Sequence, residues 1–295
     1  MLRSNRSDGV LEYCGTHHPQ YSNTPPLQFP MASHVPALEL HNVSYVGNGK
    51  TILHSINWTV KQGDHWALLG PNGSGKTTLL RIACGYLWPN AGGEVRRKGR
   101  VLINLPELRK SIGWVTSTLP AQIPSREKVI RTVVSGKFAQ IGYLERFGGE
   151  ADGRTYAQAE KYLAQMGCKD LRNEEFGVLS QGEQQKVLIA RARMTKPYLI
   201  MLDEPCAGMD PGARENFLAT LAKLGDLKKI PSLIYVTHHI EEILPVFGKT
   251  LILKEGRVLY SGVTRAVLKA DILRELYGVP LNILTRKGRC WPVVG

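Results

Sequence analysis

The stretch Gly70-Pro71-Asn72-Gly73-Ser74-Gly75-Lys76-Thr77-Thr78 decides the fold. It fits G-x-x-x-x-G-K-[ST], a loop that cradles phosphate groups. Before it, His65-Trp66-Ala67-Leu68-Leu69 is short and apolar, as a buried strand should be. After it, Thr77 to Leu87 is mostly helix-compatible. The motif therefore sits between a strand and a helix, a setting that separates it from an ordinary glycine-rich turn. The glycines let successive backbone N–H groups converge on one concavity, at the positive end of the new helix. Lys76 can reach the β- and γ-phosphates as a point charge, and the Thr77 hydroxyl can ligate Mg²⁺.

Three downstream stretches carry matching chemistry. Tyr198-Leu199-Ile200-Met201-Leu202-Asp203-Glu204 is an aliphatic run ending in two carboxylates. The run fits a parallel strand buried on both faces. Carboxylates at its C-terminal end lie where open α/β sheets bind ligands. Asp203 can hold Mg²⁺ directly or through water, and Glu204 can polarise an attacking water. Leu179-Ser180-Gln181-Gly182-Glu183-Gln184 contains S-x-x-E, a capping box opening a helix to about Met194. Ser180 is an N-cap on that reading alone. Gly182 also leaves backbone amides uncovered at the helix start, a second anion site about 100 residues from the first. Ser232 to Thr237 is a further buried strand, ending at His238-His239, where a histidine can donate to a phosphate oxygen.

Outward from these motifs the chain reads as follows. Residues 1–36 are rich in Ser, Asn, His, Pro and Gln without apolar periodicity, and predict a disordered tail. Leu38 to Tyr45 and Ile52 to Val60 predict strands joined by a glycine turn. Tyr45 could stack on a purine ring or be a half-exposed strand tyrosine. Arg96, Arg97, Lys98 and Arg100 predict an exposed basic hairpin. Pro106 to Ser111 predicts one helical turn, and Ile112 to Thr116 a buried strand. About 118 to 180 the period changes to helical, with amphipathic segments Glu127–Val134 and Tyr156–Met166 inserted between core strands. Leu251 to Tyr260 predicts a hairpin, Val263 to Tyr277 helices, and residues 271–295 a C-terminal helix and basic tail.

The chain has 295 residues, 43% of them hydrophobic, ample for one large core with a subdomain. No run approaches the ~18 apolar residues of a membrane span, and no apolar signal core opens the sequence. The five cysteines are far apart, without C-x-x-C, which argues against a zinc site or disulfide framework and fits a reducing cytosol. The net charge of +13 permits a nucleic-acid, lipid or acidic-loop partner, or charge merely spread over solvated faces.

Together these stretches resemble the nucleotide-binding subunit of an ABC transporter, over roughly residues 37–270. The most specific element is Leu179 to Gln184, similar to the family signature. The resemblance implies an α/β fold: a P-loop NTPase core with an antiparallel β subdomain and an inserted α-helical subdomain. It implies ATP and Mg²⁺ as ligands. Tyr45 falls where the family stacks an aromatic on adenine. Gly70, Pro71, Asn72, Gly73, Ser74, Gly75, Lys76, Thr77 and Thr78 match the Walker A loop, and Asp203 the Walker B aspartate. Glu204 matches the catalytic glutamate and His238 the switch histidine. Ala207 to Asp210 resembles the loop linking two such subunits. Ser180 and Gly182 match positions that contact ATP held by a second subunit. The implied partners are a second copy or a paired ATPase subunit, and a transmembrane permease that would hold the chain at the inner face of the cell membrane, in the cytoplasm. An importer is expected.

Two positions depart from the family pattern. Ser117 stands where a glutamine is usual; its side chain is shorter, so contact with Mg²⁺ or water would run through another water. Gln122 lies five residues on. Serine-containing versions resemble a subset grouped with molybdenum- and iron-type importers. Gln181 replaces the first signature glycine. The competing expectation is a soluble ABC ATPase acting on nucleic acid or ribosomes. Against it, translation-type members carry two cassettes and repair-type members need long coiled coils between the motifs, for which this chain has no room.

Overall fold

The computed structural model describes residues 35–144, 150–227 and 230–295. The expected N-terminal tail lies almost wholly outside the described residues. In chain order the strands are β1 (Leu38–Gly47), β2 (Lys50–Val60), β3 (Trp66–Leu69), β4 (Glu94–Arg97), β5 (Ile112–Thr116), β6 (Leu199–Asp203), β7 (Ser232–Thr237), β8 (Lys249–Lys254), β9 (Arg257–Val263), β10 (Leu281–Arg286) and β11 (Arg289–Val294). The helices are α1 (Lys76–Ala83), α2 (Leu105–Ser111), α3 (Val129–Ser135), α4 (Gly153–Gln165), α5 (Gln181–Ala192), α6 (Pro211–Gly225), α7 (Thr264–Val267) and α8 (Ala270–Tyr277).

Six strands form one sheet in the order β5-β6-β7-β3-β8-β9, parallel except for the antiparallel β8–β9 edge. β3, β6 and β7 are buried at every residue, as aliphatic runs without polar alternation require. Period-two alternation sends their side chains into two cores. Ala67, Leu69, Ile200, Leu202, Leu233 and Tyr235 pack with the helical insertion and α6. Trp66, Leu68, Leu199, Met201, Ile234 and Val236 pack with α1 and the antiparallel sheet β2-β1-β4. The expected α/β core, antiparallel β subdomain and helical insertion are all present.

The helix starts follow their capping residues. Asp152 accepts from the Thr155 N–H to open α4. Asp210 accepts from the Ala213 N–H to open α6, with Pro211 in its first turn. Ser180 and Glu183 make the complete reciprocal capping box on α5.

Two expectations change. The basic segment after α1 is a turn, but Arg97 is fully buried. Its Nε donates to the Ala83 carbonyl at 2.7 Å and its Nη2 to the Ile82 carbonyl at 2.5 Å. Those carbonyls end α1, where helical partners run out and a cation is favoured. The expected basic tail is the antiparallel hairpin β10–β11, turned at Lys287 and Gly288, both with φ in the left-handed region.

Candidate functional site

β3, β6 and β7 are neighbours, and each ends beside the same space. β3 runs into the Gly70–Thr78 loop, β6 into Asp203-Glu204, β7 into His238. The loop is held tightly. A Cβ on Gly70 would lie 2.3 Å from the Leu253 carbonyl oxygen and 2.6 Å from Ser74 Oγ, so only glycine permits that approach. Gly75 precedes α1 at φ 100°, and no side chain caps the helix. The leading N–H groups of α1 thus remain available to an anion.

A cavity of about 1370 Å³ opens over this helix start. Asn72, Gly73, Gly75, Lys76, Thr77 and Thr78 line it, as do Ser117, Asp203 and Glu204. Lys76 is 5% exposed. Its Nζ donates to the Gly70 and Pro71 carbonyls at 2.8 and 3.0 Å and lies 3.5 Å from Glu204 Oε1. Burial pulls the Lys76 pKa down, opposed by Glu204 and Asp203. Asp203, 7% exposed, is pushed up to about 6, first by burial and then by the Glu204 charge, against Lys76 and Arg81.

Glu204 leaves β6 at φ 49°, in the left-handed region, while its N–H still bonds the Val236 carbonyl at 3.0 Å. This kink brings its Oε1 within 3.2 Å of His238 Nδ1. Non-glycine residues in that region mark functional sites often enough to matter. Beneath the histidine, the buried Glu242 carboxylate accepts from the Tyr235 hydroxyl at 2.9 Å and the Thr237 hydroxyl at 2.6 Å. Sequence reading missed this network, and also Arg81, Ile52 and Arg191 on the cavity wall. A glutamate seven residues past a strand tyrosine carries no sequence signal.

Lys76, Asp203, Glu204 and Ser117 line this cavity, and His238 lies beside Glu204. It does not bring Tyr45 to the cavity wall; Ile52 stands there instead. Tyr45 packs half-buried against the core beneath β1 and β2. Nor do Ser180 and Gly182 line this cavity. Gln181 and Gly182 sit against the loop after Glu204. The Gln181 side chain is 3.2 Å from where a Gly208 Cβ would be, and Met209 Sδ is 3.9 Å from where a Gly182 Cβ would be.

The donor set fits a nucleotide and its divalent cation. Uncapped helix amides and a lysine suit phosphates, and Thr77 and Asp203 offer oxygen ligands within the cavity lining. The Ser74 hydroxyl, buried in the loop, has no hydrogen-bond partner among the described residues.

A fold of this order with this loop at its centre defines a nucleotide-hydrolysing cassette. Residues 53–207 match the ABC transporter family model, and the chain belongs to that family, whose members are ATPases. It is 40% identical over 255 residues to the uncharacterized ABC transporter ATP-binding protein YlmA of Bacillus subtilis (strain 168), covering 85% of this chain and 95% of that one. It is 30% identical over 258 residues to the phosphonates import ATP-binding protein PhnC 1 of Nostoc sp., covering 85% and 96%. Among solved structures it is similar to cbiO1 of Clostridium perfringens, part of the ABC transporter complex cbiONQ, with TM-score 0.70 and 26% identity over 81% of this chain and 93% of that one.

Proposed function

We propose that this chain is the ATP-hydrolysing subunit of an importer, working as a pair of copies on a separate membrane permease. One observation carries the reading: a single carboxylate oxygen of Glu204 meets both Lys76 and His238 at the mouth of the phosphate loop. Relatives whose names specify import support the direction. Among the described residues no helix is long and apolar enough to cross a membrane, so a membrane path would come from another chain.

The loop amides and Lys76 would bind and orient the triphosphate, with the γ-phosphoryl group toward Glu204. Thr77 and Asp203 would hold Mg²⁺, with Ser117 at the edge of that position; when bound, the cation screens the phosphate oxygens. Glu204 would orient the attacking water and take its proton as the oxygen–phosphorus bond forms in line with the departing ADP oxygen. His238, 3.2 Å from Glu204, would keep the carboxylate aimed. Ser180 and Gly182, which do not line this cavity, would complete the site of the second copy across a two-fold axis. ATP would then close the pair and hydrolysis release it, a switch able to move attached domains.

The test is co-purification of the full chain from membranes at native expression. A multi-span protein whose presence raises ATP turnover is the expected result. A chain recovered only unaccompanied, with turnover indifferent to any membrane fraction, would overturn it.

A further inference from the structure

The hairpin β10–β11 lies far beyond the family-matched residues, yet it grips the segment carrying the histidine. Arg289, 12% exposed, donates through Nε to the Glu241 carbonyl at 2.9 Å, and its Nη2 bonds the same oxygen. Its other edge forks onto the Glu215 carboxylate, at 2.5 and 3.0 Å. Trp291 covers the guanidinium, 5.0 Å from ring centroid to Cζ. Just before the hairpin, the Tyr277 hydroxyl donates to the His238 carbonyl at 3.0 Å. Burial, with Glu241 nearby, pushes the Tyr277 phenol up, so it remains a donor.

The placement of these bonds is informative. Glu215 stands on α6, the helix reached by the loop leaving Glu204. Glu241 stands in the short 3₁₀ turn Ile240–Glu242 leaving His238. One guanidinium therefore spans the two segments that emerge from β6 and β7. Arg214 of α6 repeats the link, 3.6 Å from Glu241, and His239 Nδ1 is 3.3 Å from the same carboxylate oxygen. A single 3₁₀ turn has little stiffness of its own, so outside bonds fix the main chain at His238.

We propose that the C-terminal hairpin is a brace for turnover, with Arg289 and Tyr277 as positioning residues that hold His238 against Glu204. This rests on the reading of Glu204 and His238 given above. Small displacements of a catalytic group cost rate far more than they cost binding.

The test is a kinetic cycle on the full-length chain: Arg289→Ala, Tyr277→Phe and His238→Ala singly, then each brace variant combined with His238→Ala. Arg289→Ala and Tyr277→Phe should each lower kcat at least about 5-fold with KM for ATP within about 2-fold, and should add nothing to the loss in His238→Ala. Tyr277→Phe, which deletes one hydroxyl, carries the test if Arg289→Ala does not fold. Wild-type kcat in the brace variants while His238→Ala is slow would overturn the brace alone. So would losses that persist in full in the His238→Ala background, since they would bypass the histidine. Wild-type turnover in His238→Ala would instead overturn the underlying reading, and the brace with it.

Discussion

Replacing Asp203 with asparagine should stabilise the nucleotide-free protein while abolishing its function. Asp203 is 7% exposed, and its carboxyl is raised from an ordinary 3.8 to about 6 by burial and by Glu204, despite Lys76 and Arg81. A raised folded-state pKa means the fold binds this proton more tightly than the unfolded chain does. The stabilising contribution is then complete below the unfolded value and is lost as pH rises through about 6. At pH 7.5 the residue is ionised against that preference, and roughly two pH units amount to about 3 kcal/mol. Asparagine keeps the shape without the charge, so D203N should gain up to about 3 kcal/mol at pH 7.5, and nearly nothing at pH 4. Urea unfolding of both proteins, without nucleotide or Mg²⁺, measures the difference at each pH. With saturating Mg-ATP the order should reverse, because only the wild type gains ligand-linked stability. A variant no more stable than wild type at pH 7.5, or a gain that ignores pH, would refute the electrostatic reasoning.

Glu204→Gln keeps the side-chain shape but removes the proton acceptor beside His238. Turnover should fall about 10²–10⁴-fold, with ATP binding retained and a nucleotide-bound pair accumulating in light scattering; near-normal phosphate release would exclude Glu204 as the base. Gly70→Ala places a methyl 2.3 Å from the Leu253 carbonyl oxygen, so ATP affinity should drop at least ~10-fold, about 1.4 kcal/mol; unchanged titration with a fluorescent nucleotide would show that the loop can yield. Arg97→Ala empties a fully buried site and takes a charged donor from the Ile82 and Ala83 carbonyls. It should cost about 3–5 kcal/mol in denaturant unfolding, and a loss under about 1 kcal/mol would mean that desolvation cancels the capping.

What the sequence made legible was local. β3, β6 and β7 announce themselves because a strand buried on both faces needs no polar alternation, and the Gly70–Thr78 spacing is dictated by phosphate geometry. Alternation alone leaves Tyr45 open between a purine contact and a half-exposed strand tyrosine, and here it packs half-buried against the core. The β1–β2 register shifts between Val43 and Tyr45 and again between Tyr45 and Val46, and each slip exchanges the faces of a strand. Arg97 was misjudged because a cluster of basic residues suggests hydration, whereas the partner consuming its charge is the end of a helix 14 residues upstream. The hairpin was hidden by Pro292, which argues against a strand in most settings; it is tolerated here because β10–β11 has only two strands, and so an open edge. Arg97 and the C-terminal hairpin both turn on polar or backbone groups satisfied by distant partners. Hydrophobic period reports which face is buried, but not which remote carbonyl or carboxylate closes a hydrogen-bond account. Arg289 belongs to the same class: its sequence neighbours suggest a solvated basic tail, and its meaning comes from Glu215 and Glu241, 74 and 48 residues away.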